Sequence, residues 1–372
     1  MATRRILLYL KQFDWVLLAA VLVLVSLGLA AIYSIGLGRE IPDFLNFKKQ
    51  LLTFIAGLVL LFFFSFVDYK IYKKYYLALY GLAILLLLAV LVFGRTIRGT
   101  TGWFSFGVAN FQPVEIVKLV LLIFLARYLG DRSRELHRFK FVLVSGLAAG
   151  ALILLVLLQP DLGSALVLFI LWFGLLLVAG LKRSHLLLML AAGVMVIIIA
   201  WMFVLVPYQK DRVLTFVNPS ADALGRGYNI TQAIIAVGSG QVFGRGLGFG
   251  SQSQLRFLPE SHTDFIYSVL AEELGLAGVA LILGFFTLIL YRAYRNSREV
   301  RDDFGLFLVL GFMILLASQV AINIGMNIGL APITGITLPF VSYGGSSLIV
   351  NLIMVGIIES VFLRNRGGEI ST

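Results

Sequence analysis

Long apolar runs, each closed by a short polar or glycine-rich stretch, recur from residue 15 to residue 363. Runs of about 17–25 residues are long enough to cross a hydrocarbon core of about 30 Å as a helix. The pattern predicts ten helices, over 15–36, 50–67, 75–93, 113–129, 141–158, 162–180, 185–207, 265–291, 304–329 and 346–363. The short alternating segments of a β-barrel are absent from it. The first run follows Arg4, Arg5 and Lys11 and exceeds the 7–15 apolar residues of a signal-peptide core, so it reads as a retained span. The expected fold is an all-α polytopic membrane protein of about ten transmembrane helices. It forms a single domain over 1–372, with a long loop, about 208–262, between helices seven and eight. No internal repeat is evident.

Composition agrees. The chain is 60% hydrophobic and its mean hydropathy is +0.98, whereas soluble domains average about 45–50% apolar. Charge adds an orientation. Lys and Arg gather at the N-terminus, near Lys70, over 127–140, at Lys182 and Arg183, over 292–301 and at Arg364 and Arg366. The positive-inside rule then predicts both termini in the cytoplasm. The net charge of +11 reflects this topology and anionic headgroups. Nucleic-acid binding is excluded as a reading, because the basic residues are spread over many separate loops.

The outer side carries the unusual sequence: 94–112, rich in Trp and Gly; the turn Gln159-Pro160-Asp161-Leu162-Gly163-Ser164; the loop 208–262; and the uncharged stretch 330–345. Loops beyond about 12–15 residues are usually functional or disordered, and the aromatic and glycine content of 208–262 predicts an ordered, binding loop. With no cysteine, and with His137, His185 and His262 far apart, neither disulfide nor thiolate or histidine-cluster metal site is readable. A divalent cation held by carboxylates and phosphate is compatible with the chain, and no cofactor is specified by it.

Six residues are the main candidates for chemistry. Asp264 sits where the long loop re-enters an apolar helix. Ser261-His262-Thr263-Asp264 matches a capping box that would put Asp264 at N3 of the eighth helix; the same acid, partly buried beside Phe265 and Tyr267, also suits a general base. Glu115 and Lys118 lie i, i+3 on one helix face. Charges at membrane depth need a partner or a wet cavity, so they are either a structural ion pair or a substrate-orienting pair. Trp103 is an interfacial aromatic or a sugar-stacking platform. Arg212 and Arg245, with Arg226 and Arg256 in the same loop, are solvated charges or diphosphate ligands. Asp161 reads as the N-cap of the sixth helix or as a cavity-facing acid. The glycines of 238–250 read as a flexible turn or, less specifically, an anion nest. Gly344 to Ser347 ends a loop and caps the tenth helix.

With these residues in view, the chain resembles the SEDS family (shape, elongation, division and sporulation proteins), nearest its elongation branch and next its division branch. The matching segments are Phe111-Gln112-Pro113-Val114-Glu115 with Lys118, QPDLGSA at 159–165, YQKDR at 208–212, GRGYN at 225–229, VGSGQ at 237–241, LPESHTDFIYSVLAEELG at 258–275 and GITLPFVSYGGSSL at 335–348. They occur in family order across about 100 to 350. The chain departs at Val114, Gly102 and Thr337, where the family more often has Ser, Arg and Pro. The resemblance implies a peptidoglycan glycosyltransferase in the bacterial cytoplasmic membrane, with Asp264 catalytic. Its substrate would be lipid II, and its partners a class B penicillin-binding protein transpeptidase and other elongation-complex membrane proteins. A lipid II flippase and a non-catalytic scaffold are the alternatives.

Overall fold

The computed structural model describes residues 11–38, 41–97, 99–107, 109–132, 135, 138–204, 210–211, 214–216, 226–255 and 257–366. Ten apolar helices form among the described residues. They are α1 (Trp15–Leu37), α2 (Leu45–Phe66), α3 (Lys70–Phe93), α4 (Pro113–Arg132), α5 (Phe139–Leu158), α6 (Leu162–Val178), α7 (Arg183–Ile199), α10 (Ile266–Ser297), α11 (Asp303–Asn327) and α12 (Gly345–Arg366). Two shorter helices, α8 (Arg226–Ser239) and α9 (Ser251–Gln254), lie in the long loop. Seven of the ten are long and apolar enough to cross a membrane, and shorter apolar helices accompany them. The fold is that of a multi-pass membrane protein.

Helix starts follow local chemistry. Asp14, Asp161 and Asp302 cap α1, α6 and α11, accepting from the amides of Leu17, Ser164 and Gly305. Pro113 opens α4, where its missing N–H costs nothing. Helix α3 begins at Lys70, a turn earlier than expected. Its first turns, KIYKKYY, are helical but too polar to register as part of an apolar run.

Burial sorts the helices. Within their most apolar stretches, 83% of α12 and 61% of α11 residues are buried, against 17% of α3. Helices α11 and α12 are therefore central, and α3 shows most of its surface to lipid. Asp14 at the start of α1 accepts from Arg292 and Asn296 near the end of α10, and its amide donates to Glu359 near the end of α12. Both ends of the described chain thus share one face of the bundle.

The opposite face carries two features that periodicity did not show. The 94–112 segment is a three-stranded antiparallel sheet, β1 (Arg95–Ile97), β2 (Thr100–Phe106) and β3 (Ala109–Phe111), with Arg95 opposite Trp103 and Phe104 opposite Phe111. Second, α10 is broken at Gly275 (φ 66°, ψ −166°). The glycine-rich strip after α8 wedges into the break. Leu276 and Ala277 donate to the carbonyls of Gln241 and Val242, and Arg245 and Gly246 donate to those of Glu272 and Glu273. Backbone groups freed by the kink are satisfied by a neighbouring segment, as an apolar setting requires. The amides of Arg245 and Gly246 are thus spent on the backbone of α10, and that of Gly248 on the Glu273 carboxylate, so these three are not free for an anion. A Cβ at Gly244 (φ +77°) would lie 2.1 Å from the Glu273 carbonyl oxygen, which is why the strip must be glycine there.

Candidate functional site

Asp264 lies in the turn preceding α10. That helix begins at Ile266, with Phe265 as N-cap and no side-chain cap hydrogen bond. Asp264 therefore stands outside the helix rather than at N3. Its position is fixed through the backbone instead. Asn323 and Asn327, one turn apart on α11, both donate to the Asp264 carbonyl at 3.1 and 3.0 Å. Asn323 also donates to the Ile336 carbonyl (2.7 Å), and Ser268 Oγ donates to Asn327 Oδ1 (2.6 Å). One residue earlier, Ser342 Oγ donates to the Thr263 carbonyl (2.7 Å), and the Tyr343 amide donates to that of His262 (2.8 Å). The turn and the 334–344 loop are thereby locked together.

These segments enclose a two-lobed cleft. The first lobe, about 130 Å³, has Asp264, Asp161, Gln112, Thr337, Ser346 and Ser347 on its wall. The second, about 370 Å³, adds Lys49, Leu52, Thr53 and Asn110. Trp103, Ile97, Thr263, Tyr343, Gly344 and Gly345 line both, so the two lobes adjoin. The larger lobe lies within the few hundred Å³ usual for a small-molecule pocket. Half-buried Asp264 shares the first lobe with Asp161, whose carboxylate accepts from the Ser164 amide (2.9 Å) and hydroxyl (2.7 Å). Asp161 thus caps α6 and also faces the cavity. Burial pushes the Tyr343 phenol above its ordinary pKa, so it stands as a neutral hydroxyl in the wall.

The other sequence candidates fall in different places. Trp103, on β2, is a wall of both lobes. Glu115 and Lys118 are 6% and 2% exposed and pair at 2.7 Å. They lie inside the helix packing, one turn below Gln112, rather than on the cleft surface. Arg245 is exposed and donates to Ser251 Oγ (3.0 Å) and the Ser239 carbonyl (3.4 Å), tying the ends of the glycine-rich strip. Arg212 and Arg256 fall outside the described residues, as does the side chain of Arg226. No group of three His, Asp or Glu gathers in metal-binding geometry among the described residues. Sequence reading passed over Asn323, Asn327, Ser342 and Lys49. The two asparagines had a signal: amides at i, i+4 inside an apolar span need partners.

A polytopic helical protein with an acid-bearing polar cleft at one end of its bundle is the class that fold and site define. The family model described as "Cell cycle protein" (FtsW, RodA, SpoVE) matches residues 13–367. The chain belongs to that family, the SEDS proteins. It is 38% identical over 363 residues to a "Probable peptidoglycan glycosyltransferase FtsW" of Coxiella burnetii, covering 93% of this chain and 95% of that protein. It is similar to the solved rod shape determining protein RodA of Thermus thermophilus, with TM-score 0.71, 33% identity and coverage of 95% and 98%. It also matches a chain from work described as "Structural coordination of polymerization and crosslinking by a peptidoglycan synthase complex", with TM-score 0.80, 35% identity and coverage of 95% and 99%.

Proposed function

We propose that the chain is a peptidoglycan glycosyltransferase of the bacterial cytoplasmic membrane. It polymerises lipid II into glycan strands during cell-wall elongation, with both its termini in the cytoplasm. The observation that carries this reading is the Asp264 carboxylate on the wall of a polar cleft, its backbone held by two asparagines.

In this reaction Asp264 accepts the proton of the acceptor sugar hydroxyl. The hydroxyl oxygen bonds to the anomeric carbon of the donor. The bond from that carbon to the diphosphate oxygen breaks, and its electron pair leaves with undecaprenyl pyrophosphate. A placed base contributes about 10²–10⁴-fold. One displacement inverts the anomeric centre, unlike the double displacement of retaining glycosidases. Trp103 offers a flat face for a sugar ring. Glu115 and Lys118 act from beneath, holding the first turn of α4 and so Gln112. Each of the two lipid substrates carries a diphosphate, so more than one cationic site is needed; Arg212 and Arg245 of the long loop serve one of them. The bilayer keeps both substrates near the reaction plane, which lowers the cost of bringing them together. A class B penicillin-binding protein is the proposed partner, cross-linking the new strand beside other elongation-complex proteins.

The broken helix α10 favours a second reading, since interrupted helices are a mark of transporters. One experiment separates the two. Purified protein in detergent, without sealed vesicles, is given lipid II with and without a class B penicillin-binding protein. Glycan polymer is expected from the native chain and none from Asp264→Asn with an unchanged unfolding midpoint. Polymer at native yield from Asp264→Asn overturns the base. No polymer from native protein, with translocation of lipid II in liposomes, makes it a flippase.

A further inference from the structure

The Asp14 end of the bundle carries a concentration of charge that neither the cleft nor the proposed reaction uses. Tyr69, just before α3, donates its amide to Ser360 on α12, next to the Glu359 that meets Asp14, so α3 starts at this end. It opens KIYKKYY, with Lys70, Lys73 and Lys74 in its first turns. Helix α4 returns to the same end, where Gly130 abuts Phe304 at the start of α11, and α5 therefore starts there too. Arg138 is the N-cap of α5 and Lys140 lies in its first turn. Tyr80 Oη donates to the Ala148 carbonyl (2.8 Å) and fixes the register of α3 against α5. Lys70 precedes Tyr80 by as many residues as Arg138 precedes Ala148, so the two basic starts stand at one height. Lys73, about two helical turns before Tyr80, lies on the side of α3 that faces α5.

These five cations are not neutralised by the protein. None makes an ion pair or a side-chain hydrogen bond among the described residues; Lys74 only rests over the ring of Tyr75, 5.4 Å from its centre. The neighbouring acids are engaged elsewhere, Asp68 with Arg364 (3.5 Å) and Asp131 with Arg127. Glu135, in the turn between α4 and α5, is the one nearby carboxylate without an ion pair among the described residues. Lys70, Lys74, Arg138 and Lys140 are exposed and Lys73 is half-buried. Beyond the charges the surface turns apolar at once: Leu77 and Leu85 on α3 and Leu143 and Leu147 on α5 are exposed. Like charges gathered on two adjoining helix starts repel one another unless an anion lies between them. A cationic rim above an apolar face suits an anion with acyl chains, and cations on two helices at one height suit two phosphates in one headgroup.

We infer that the starts of α3 and α5 form a binding site for a double-phosphate anionic lipid of the diphosphatidylglycerol type. One phosphate lies against the lysines of α3 and the other against Arg138 and Lys140, with acyl chains along the exposed leucines. The lipid ties α3, the helix with most of its surface in lipid, to α5. The site stands apart from the proposed glycosyl transfer and needs only that these helix starts lie at a bilayer surface.

The test measures equilibrium binding of labelled diphosphatidylglycerol to the full chain in uncharged detergent at one fixed ionic strength. The double variant Lys73→Gln with Arg138→Gln is expected to weaken binding about tenfold or more. Lys70→Gln with Lys140→Gln, at two exposed positions, carries the same expectation and guards against a folding defect in the first. Lys182→Gln with Arg183→Gln removes the same charge from the turn between α6 and α7 and is expected to stay within about twofold of native. Added lipid should raise the unfolding midpoint of the native chain and not that of the first variant. Equal losses in all three variants mean general attraction to a basic surface and overturn the site. Native-strength binding by the first two overturns it as well. Displacement by phosphatidylglycerol as effective as by diphosphatidylglycerol at equal phosphate removes the double-phosphate assignment and overturns it as stated.

Discussion

Asn323 and Asn327 hold the carbonyl of Asp264, not its carboxylate, so they orient the acid without altering its charge directly. Each Asn→Ala change removes the bond to that carbonyl, worth about 1 kcal/mol, together with the bond to Ile336 or from Ser268. The expected result is about a fivefold fall in kcat with KM nearly unchanged, and a larger fall in the double variant. A change confined to KM would place the asparagines in substrate binding instead. Glu115 and Lys118 make a sharper case. Removing one member of a buried ion pair leaves the other uncompensated, which costs about 3–5 kcal/mol. Glu115→Gln and Lys118→Met should each lower the unfolding midpoint and activity, and the double variant should be little worse than either. Additive losses would show that the two act separately. The residue types were legible from sequence: acids, amides and a lysine in apolar surroundings need reasons. Their targets were not. Nothing local in HTDF shows that its carbonyl meets an amide 59 residues away, and the capping-box match placed Asp264 in the first turn of a helix that starts only at Ile266.

Element by element, apolar run length located the ten long helices, because the hydrocarbon thickness sets their lengths. It could not locate a break inside one. Gly275 in EELGLAG looks like any helical glycine, and its partner strip is a separate segment more than 25 residues upstream by sequence number at Val242 and Gln241. The wedge nevertheless makes a clear prediction. Gly244→Ala forces a Cβ onto the Glu273 carbonyl at positive φ, at a cost of about 1–3 kcal/mol in backbone strain alone. Gly238→Ala meets open space. Limited proteolysis should therefore cut 238–255 faster in Gly244→Ala and leave Gly238→Ala as native. Equal rates would mean that the strip is not held by the break. The small sheet was legible in principle. Gly99 and Gly107, both at positive φ, bracket a strand of Thr and aromatic residues, but a search tuned to spans of about 20 residues passes over strands of three to seven.

On the scale of the whole molecule, one end is polar and hollow and the other is clamped. At the clamp, burial raises the pKa of Asp14, but hydrogen bonds from Arg292, Asn296 and the Leu17 amide outweigh it and hold the carboxyl below its ordinary value. A depressed acid contributes stability that is present above its unfolded pKa, about 3.9, and fades as pH falls through the lower folded value. The margin in unfolding midpoint of native protein over Asp14→Asn should thus be full at neutral pH and shrink below about pH 4. A margin that grows on acidification would reverse the assignment. The cleft at the other end gathers Trp103, Asp161, Asp264 and Ser346 from four distant stretches. Run lengths fix how many helices there are but not which ends meet, so the set was legible only through the family's motif order.

The break in α10 separates these two ends mechanically. The piece from Ile266 to Leu274 is continuous with the Asp264 turn, while the piece beyond Gly275 is anchored to Asp14 through Arg292. A rod that is hinged near one quarter of its length transmits tilt poorly. Pushing or pulling on the Arg292 half will load the break before it swings Asp264, so the cleft is insulated from whatever docks or drags at the Asp14 end of the bundle.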